Sequence, residues 1–153
     1  MATTLRTRRL VLATVVAASA LLLTGCAPIG NTPTGNFPGF PEGTEPSGDV
    51  TGEPHAAWVS EGDKIAITLF GSSTCPYIAS TINVVKKADE GNAVSIEVPP
   101  LPDQPCTMDL VPHTTEFWTP QDVTTTKPLQ ITVLDQTIEL PIKSYNPGQD
   151  TSH

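Results

Sequence analysis

Ser73, Asp109 and His113 are the residues of this chain that could together run a hydrolysis: a hydroxyl nucleophile, an imidazole base and a carboxylate to orient it. Ser73 lies in Gly71-Ser72-Ser73-Thr74-Cys75, directly after a strand-like run, which invites comparison with a strand–turn–helix nucleophile elbow. That elbow needs glycine where Cys75 stands and a helix after it, and Pro76 and the β-rich Thr81–Lys87 segment oppose the helix. A cell-envelope hydrolase is therefore the alternative, and the leading reading assigns no catalytic residue. Cys75, Cys106, Met108 and His113 include the soft ligands of a blue-copper site, which takes two histidines and a free thiolate. His55, His113 and His153 meet that count only from distant positions, so neither a metal nor any other cofactor is expected. Asp89-Glu90-Gly91-Asn92 lacks EF-hand spacing and reads as a hairpin turn.

A third cysteine has a different chemistry. Arg6, Arg8 and Arg9 precede Leu10–Leu23, an uncharged run of 14 residues that ends in Leu23-Thr24-Gly25-Cys26. As a helix the run rises about 21 Å, short of the roughly 30 Å hydrocarbon core, so it reads as a secretory signal rather than a membrane span. The Leu-Thr-Gly-Cys tetrad resembles the lipobox of bacterial lipoproteins. The resemblance implies that residues 1–25 are removed and that Cys26 becomes a diacylglycerol-modified amino terminus on the extracytoplasmic face of the cell membrane. Two acyl chains hold a protein stably where one does not. Thr7-Arg8-Arg9-Leu10 also looks like a twin-arginine signal, and the choice of export route stays open.

Cleavage there would leave five lysines against sixteen acids, a balance of −11. Such a surface disfavours nucleic acid and anionic headgroups as partners. With Cys26 given to lipid, Cys75 and Cys106 remain, and outside the membrane an even pair points to one disulfide. Closing a loop of about 30 residues stabilises by roughly 3–4 kcal/mol in the chain-entropy model.

Residues 26–55 read as a lipid-anchored, acidic Pro/Gly-rich tether, with too few apolar side chains to offset the entropy of ordering. Its expected job is to lift a folded head away from the bilayer, with Phe37 and Phe40 as isolated aromatics. The head spans 56–145 and a flexible tail 146–153. Period-two alternation marks Lys64–Phe70, Ala93–Val98 and Thr137–Ile142 as half-buried strands, with weaker candidates at Ala57–Ser60, Thr81–Lys87, Thr114–Thr119 and Leu129–Leu134. Seven short strands with turn residues between them predict a small antiparallel β-sandwich of Ig-like type, all-β and stapled by one disulfide. A barrel is the other closure. Pro141 predicts an edge or a strand end. In Phe117-Trp118 one ring must face outward, and Trp58 and Trp118 serve either as core or as a sugar or protein platform. Pro99–Cys106 is a stiff connection, either a plain crossing or a rigid recognition loop.

Gly71-Ser72-Ser73-Thr74-Cys75-Pro76 and Cys106-Thr107-Met108-Asp109-Leu110-Val111-Pro112 resemble paired segments in a group of small secreted proteins and lipoproteins of actinobacteria. The likeness covers roughly 56–135. It implies export and the Cys75–Cys106 pairing, and supplies no catalytic or binding residue. The function expected is a membrane-anchored, non-catalytic binding module that meets an envelope protein or glycan. Its oligomeric state is left open.

Overall fold

The computed structural model describes residues 30–46 and 51–143. Cys26, the leader and the tail from 146 lie outside the described residues. Eight strands are seen among those described: β1 (Pro33–Pro38), β2 (His55–Val59), β3 (Lys64–Gly71), β4 (Thr81–Lys86), β5 (Ala93–Glu97), β6 (Val111–Trp118), β7 (Leu129–Val133) and β8 (Gln136–Leu140). They form two four-stranded sheets, β1-β6-β3-β2 and β4-β5-β7-β8. Ile65, Ile67, Leu69 and Phe117 of the first sheet pack on Ile82, Val94, Ile96, Leu129, Ile131 and Val133 of the second. The architecture is the expected all-β sandwich, because alternation puts one apolar row of each strand toward the other sheet. No helix among the described residues is long and apolar enough to cross a membrane.

One pairing departs from the antiparallel expectation: β5 and β7 run parallel, with Val94 opposite Ile131 and Ile96 opposite Val133. The chain leaves β5, builds β6 in the facing sheet and returns at Leu129, a long crossover of the kind parallel neighbours need.

The larger correction falls on the tether. Pro33–Pro38 is a strand, paired antiparallel to β6 with Asn36 opposite Thr115 and Phe37 opposite Thr114. The sandwich therefore begins well before residue 56. After β1, Gly39 turns the chain at a φ of +93°, a left-handed conformation that glycine adopts without strain. The segment then folds back over the outer face of the first sheet. Gly39 N–H donates to Pro112 O (2.9 Å). Thr114 Oγ1 lies 2.6 Å from Gly39 O and 2.7 Å from Thr68 Oγ1. The Phe40 ring meets Phe70 edge-on at 5.9 Å and His55 at 5.8 Å, while His55 Nε2 lies 3.1 Å from Thr44 O. Phe40 docks on its own domain. This cover also explains why β3 is buried on its outer face at Thr68 and Phe70, 1% and 9% exposed. Alternation alone predicts only one buried face.

Both open sides of the sandwich are stitched. On one, Ile82 N–H donates to Asn31 O (2.9 Å). On the other, Trp58 Nε1–H donates to Pro141 O (2.7 Å), directly after β8 ends at Leu140. The strands define two poles. At the entry pole Pro33 and Lys64 flank the end of β6, Phe117 and Trp118. At the opposite, stapled pole Gly71 meets Val111.

Two stability changes follow. Phe40→Ala should cost about 2 kcal/mol, less than the roughly 3–5 kcal/mol of a core aromatic truncation because the ring is half-buried; an unchanged denaturation midpoint would mean the segment contributes no stability. In the β7–β8 hairpin, Leu134 and Asp135 both have positive φ, +47° and +61°. Replacing them with Asn-Gly, the pair favoured in such turns, should raise stability by about 1 kcal/mol in urea unfolding.

Candidate functional site

At the stapled pole β3 runs out at Gly71 and the chain enters a tight turn, with Cys75 N–H donating to Ser72 O (3.2 Å). Cys75 is 2% exposed and is bonded to Cys106, the two Cα atoms 5.7 Å apart. The partner cysteine sits on the β5–β6 connection, in which every residue from Pro99 to Leu110 is exposed. A connection of that kind has no core of its own to order it. It is held by the disulfide and by a cluster of hydroxyl groups.

Thr107 is the centre of that cluster. Its N–H donates to Thr74 Oγ1 (3.0 Å), and its hydroxyl lies 2.7 Å from Ser72 Oγ and 3.1 Å from Ser73 Oγ. The Thr107 hydroxyl donates to Asp109 Oδ1, and Ser73 N–H donates to the same oxygen (3.1 Å). Hydrogen bonds from the Ser73 hydroxyl, the Thr107 hydroxyl and the Ser73 backbone hold the Asp109 carboxyl down to about 2, because each favours the charged form. Gln104 Nε2 reaches Cys75 Sγ at 3.6 Å, adding a further tie across the staple.

The structure thus brings Ser73 and Asp109 together and leaves His113 elsewhere. His113 Nε2 lies 3.1 Å from Asn36 Oδ1 of β1, and burial pushes its pKa below the usual imidazole value. A Ser-His-Asp relay needs the imidazole between nucleophile and carboxylate. Here the carboxylate contacts the serine directly, and its depressed pKa makes it a weak general base. The staple also consumes Cys75 and Cys106, the thiolates a copper site would use. Among the described residues no three His, Cys, Asp or Glu side chains gather to hold a metal ion.

Pinning Thr107 and Asp109 leaves the residue between them projecting outward. Met108 is fully exposed at 104%, Leu110 is 61% exposed and Leu101 37%. Large apolar side chains on an ordered, exposed loop form an apolar surface; Gly52 lies against Leu110, and none of the described residues covers Met108. The sequence carries the staple and the loop's stiffness, but it does not show that Thr107 gathers Ser72, Ser73 and Thr74. The only available signal was the density of hydroxyl residues around both cysteines.

The two tryptophans divide as alternation requires. Trp58 packs against the core, and Phe117 is buried at 0% while Trp118 is 41% exposed. Trp118 lies at the entry pole on a cleft of about 460 Å³, with Asp63, Thr119, Gln121 and Val123 around it. Lys64 Nζ stands 5.2 Å from its ring centroid and 2.8 Å from Glu116 Oε2, a cation–π contact backed by an ion pair. Neither a family model, nor a curated protein, nor a solved structure matches this chain.

The Asp109 network has a pH signature. A folded carboxyl at about 2, against 3.8 for the free group, contributes stability that is fully present above the unfolded value and is lost as pH falls through about 2. The gap in thermal stability between the protein and Asp109→Asn should stay constant from neutral pH down to about 5 and close between about 4 and 2. An equal gap at both extremes would mean the carboxylate charge plays no part.

Proposed function

We propose that this protein is a membrane-anchored, non-catalytic recognition module of the cell envelope, which binds a protein partner through the Cys75–Cys106 stapled loop. The leader directs export, and Cys26 carries the lipid that keeps the module on the extracytoplasmic face. The observation that carries the reading is Met108, fully exposed between two pinned neighbours. Binding surfaces draw their energy from a few anchor side chains, and an anchor whose backbone is already ordered loses little entropy on docking. A flexible thioether adapts to an apolar pocket, and Leu110 extends the same apolar tip. A glycan would find fewer partners here, because the ring that could stack on sugar, Trp118, is at the other pole.

Composition makes the test clean. The chain has two methionines, and Met1 leaves with the leader, so a photoreactive methionine analogue labels the anchored protein at position 108 alone. Irradiation of intact cells should give one dominant protein adduct. Its yield should fall about tenfold in Leu110→Asp and in the Cys75→Ser/Cys106→Ser double variant, the size of effect expected for an anchor residue or for loss of loop order. Trp118→Ala should leave it unchanged. No adduct, or one indifferent to the staple, would overturn the proposal.

A further inference from the structure

From three features of the entry pole we infer that this pole rests on the bilayer, with Trp118 and the lysines at the headgroups, and that the stapled loop faces away. The inference rests on the lipid anchor at Cys26 proposed above.

The first feature is the length of the leash. Gly30 and Asn31 line a cleft of about 280 Å³ with Ile82, Asn83, Pro120 and Asp122, and Pro120 also borders the Trp118 cleft. The chain therefore enters the sandwich at this pole. Five Cα steps separate Cys26 from Asn31, so the connection spans at most about 18 Å. The eight residues of β6 alone extend about 25 Å from pole to pole. An 18 Å leash is too short to let the domain invert and set its stapled pole on the membrane.

The second is the placement of charge. All five lysines of the chain gather at the entry pole. Lys64 pairs with Glu116, Lys87 with Asp122 (3.6 Å) and Lys143 with Glu61 (2.7 Å). Lys127 Nζ donates to Ala88 O (3.0 Å), and Lys86 ends β4 beside that same turn. The local acids, Glu61, Asp63, Asp89, Glu90, Glu116, Asp122 and Glu139, outnumber these five lysines by two. The stapled pole carries Glu53, Glu97, Asp103, Asp109 and Asp135, with no lysine. The −11 balance is thus spread unevenly. Within a Debye length of anionic headgroups the entry pole, with its lysines offsetting most of its acids, is repelled far less than the stapled pole, whose acids have no lysine beside them.

The third is Trp118, an exposed indole beside a lysine at the pole where the leash emerges. Amphipathic rings and lysines favour the headgroup layer, where one part of the side chain is apolar and the other wet.

The test uses two native side chains that oxidise readily, one at each pole. The lipidated full-length protein in phosphatidylglycerol/phosphatidylethanolamine vesicles is compared by hydroxyl-radical footprinting with the Cys26→Ala protein free in solution. On vesicles the Trp118 oxidation rate should fall about threefold or more while that of Met108 stays the same, as for a ring drawn into the interface. Inserting a twenty-residue Gly/Ser spacer between Ala27 and Gly30 should return Trp118 toward its solution rate. Equal accessibility of Trp118 in both settings, or protection of Met108, would overturn this orientation while leaving the anchor standing. Intact mass without a diacylglycerol adduct would overturn the anchor and the orientation together.

Discussion

The pairing of Pro33–Pro38 with β6 is the constraint on which the rest of the molecule depends. It adds a fourth strand to the first sheet and makes β6 central, with β1 on one side and β3 on the other. It brings Gly39 to Thr114 and Phe40 to Phe70, which closes the outer face of β3 and satisfies two buried threonine hydroxyls that would otherwise cost free energy. It places Asn36 against His113, which removes that imidazole from the loop where Ser73 and Asp109 meet. One ladder thus decides the packing of a sheet face and the fate of the only histidine on β6.

The stapled loop follows a different logic. All of its twelve residues are exposed, so hydrophobic burial contributes little to ordering them. Order comes from one covalent cross-link to a buried cysteine and from a hub threonine that converts nearby hydroxyls into a connected network. Such networks stabilise only when their polar members are satisfied, and the Asp109 carboxylate supplies the acceptor that takes the final hydrogen bonds. The same bonds that lower its pKa fix the peptide on either side of Met108. Electrostatics and shape are one feature here.

How much of this could be read from the residues depends on which force does the ordering. β3, β5 and β8 were legible because apolar residues alternate at period two and a core-facing row is a strong constraint. The staple was legible from cysteine arithmetic in a chain read as exported, and the step of one between Phe117 and Trp118 required one of the two rings to face outward without saying which. β1 was not legible. PTGNFP has two prolines, a glycine and one large apolar side chain, so propensity opposes a strand, and its stability comes from a partner some eighty residues away. The parallel β5–β7 pairing was hidden for a related reason: it follows from a crossover through the other sheet, which local pattern does not record. The hydroxyl cluster joins two segments more than thirty residues apart, and serine and threonine near a turn carry no signature of where their hydroxyls point.

What was taken for a spacer therefore has a second consequence, which concerns position rather than packing. A tether of some thirty residues would let the head sample tens of ångströms above a membrane in any orientation. With Asn31 already bonded into the sandwich, only residues 27–30 separate Cys26 from the fold. On the lipid anchor proposed for Cys26, a head on so short a leash cannot search space for a partner; the partner must come to it, at a height set by the length of the strands. The rigid elements between the two poles, not the linker, then act as the spacer, and they present the loop in one direction. An exposed methionine on a freely tumbling head would be as available to the bilayer as to a protein. In the orientation proposed above, Met108 at the far end of a sandwich whose opposite pole carries every lysine is kept from the lipid and offered to whatever approaches from outside.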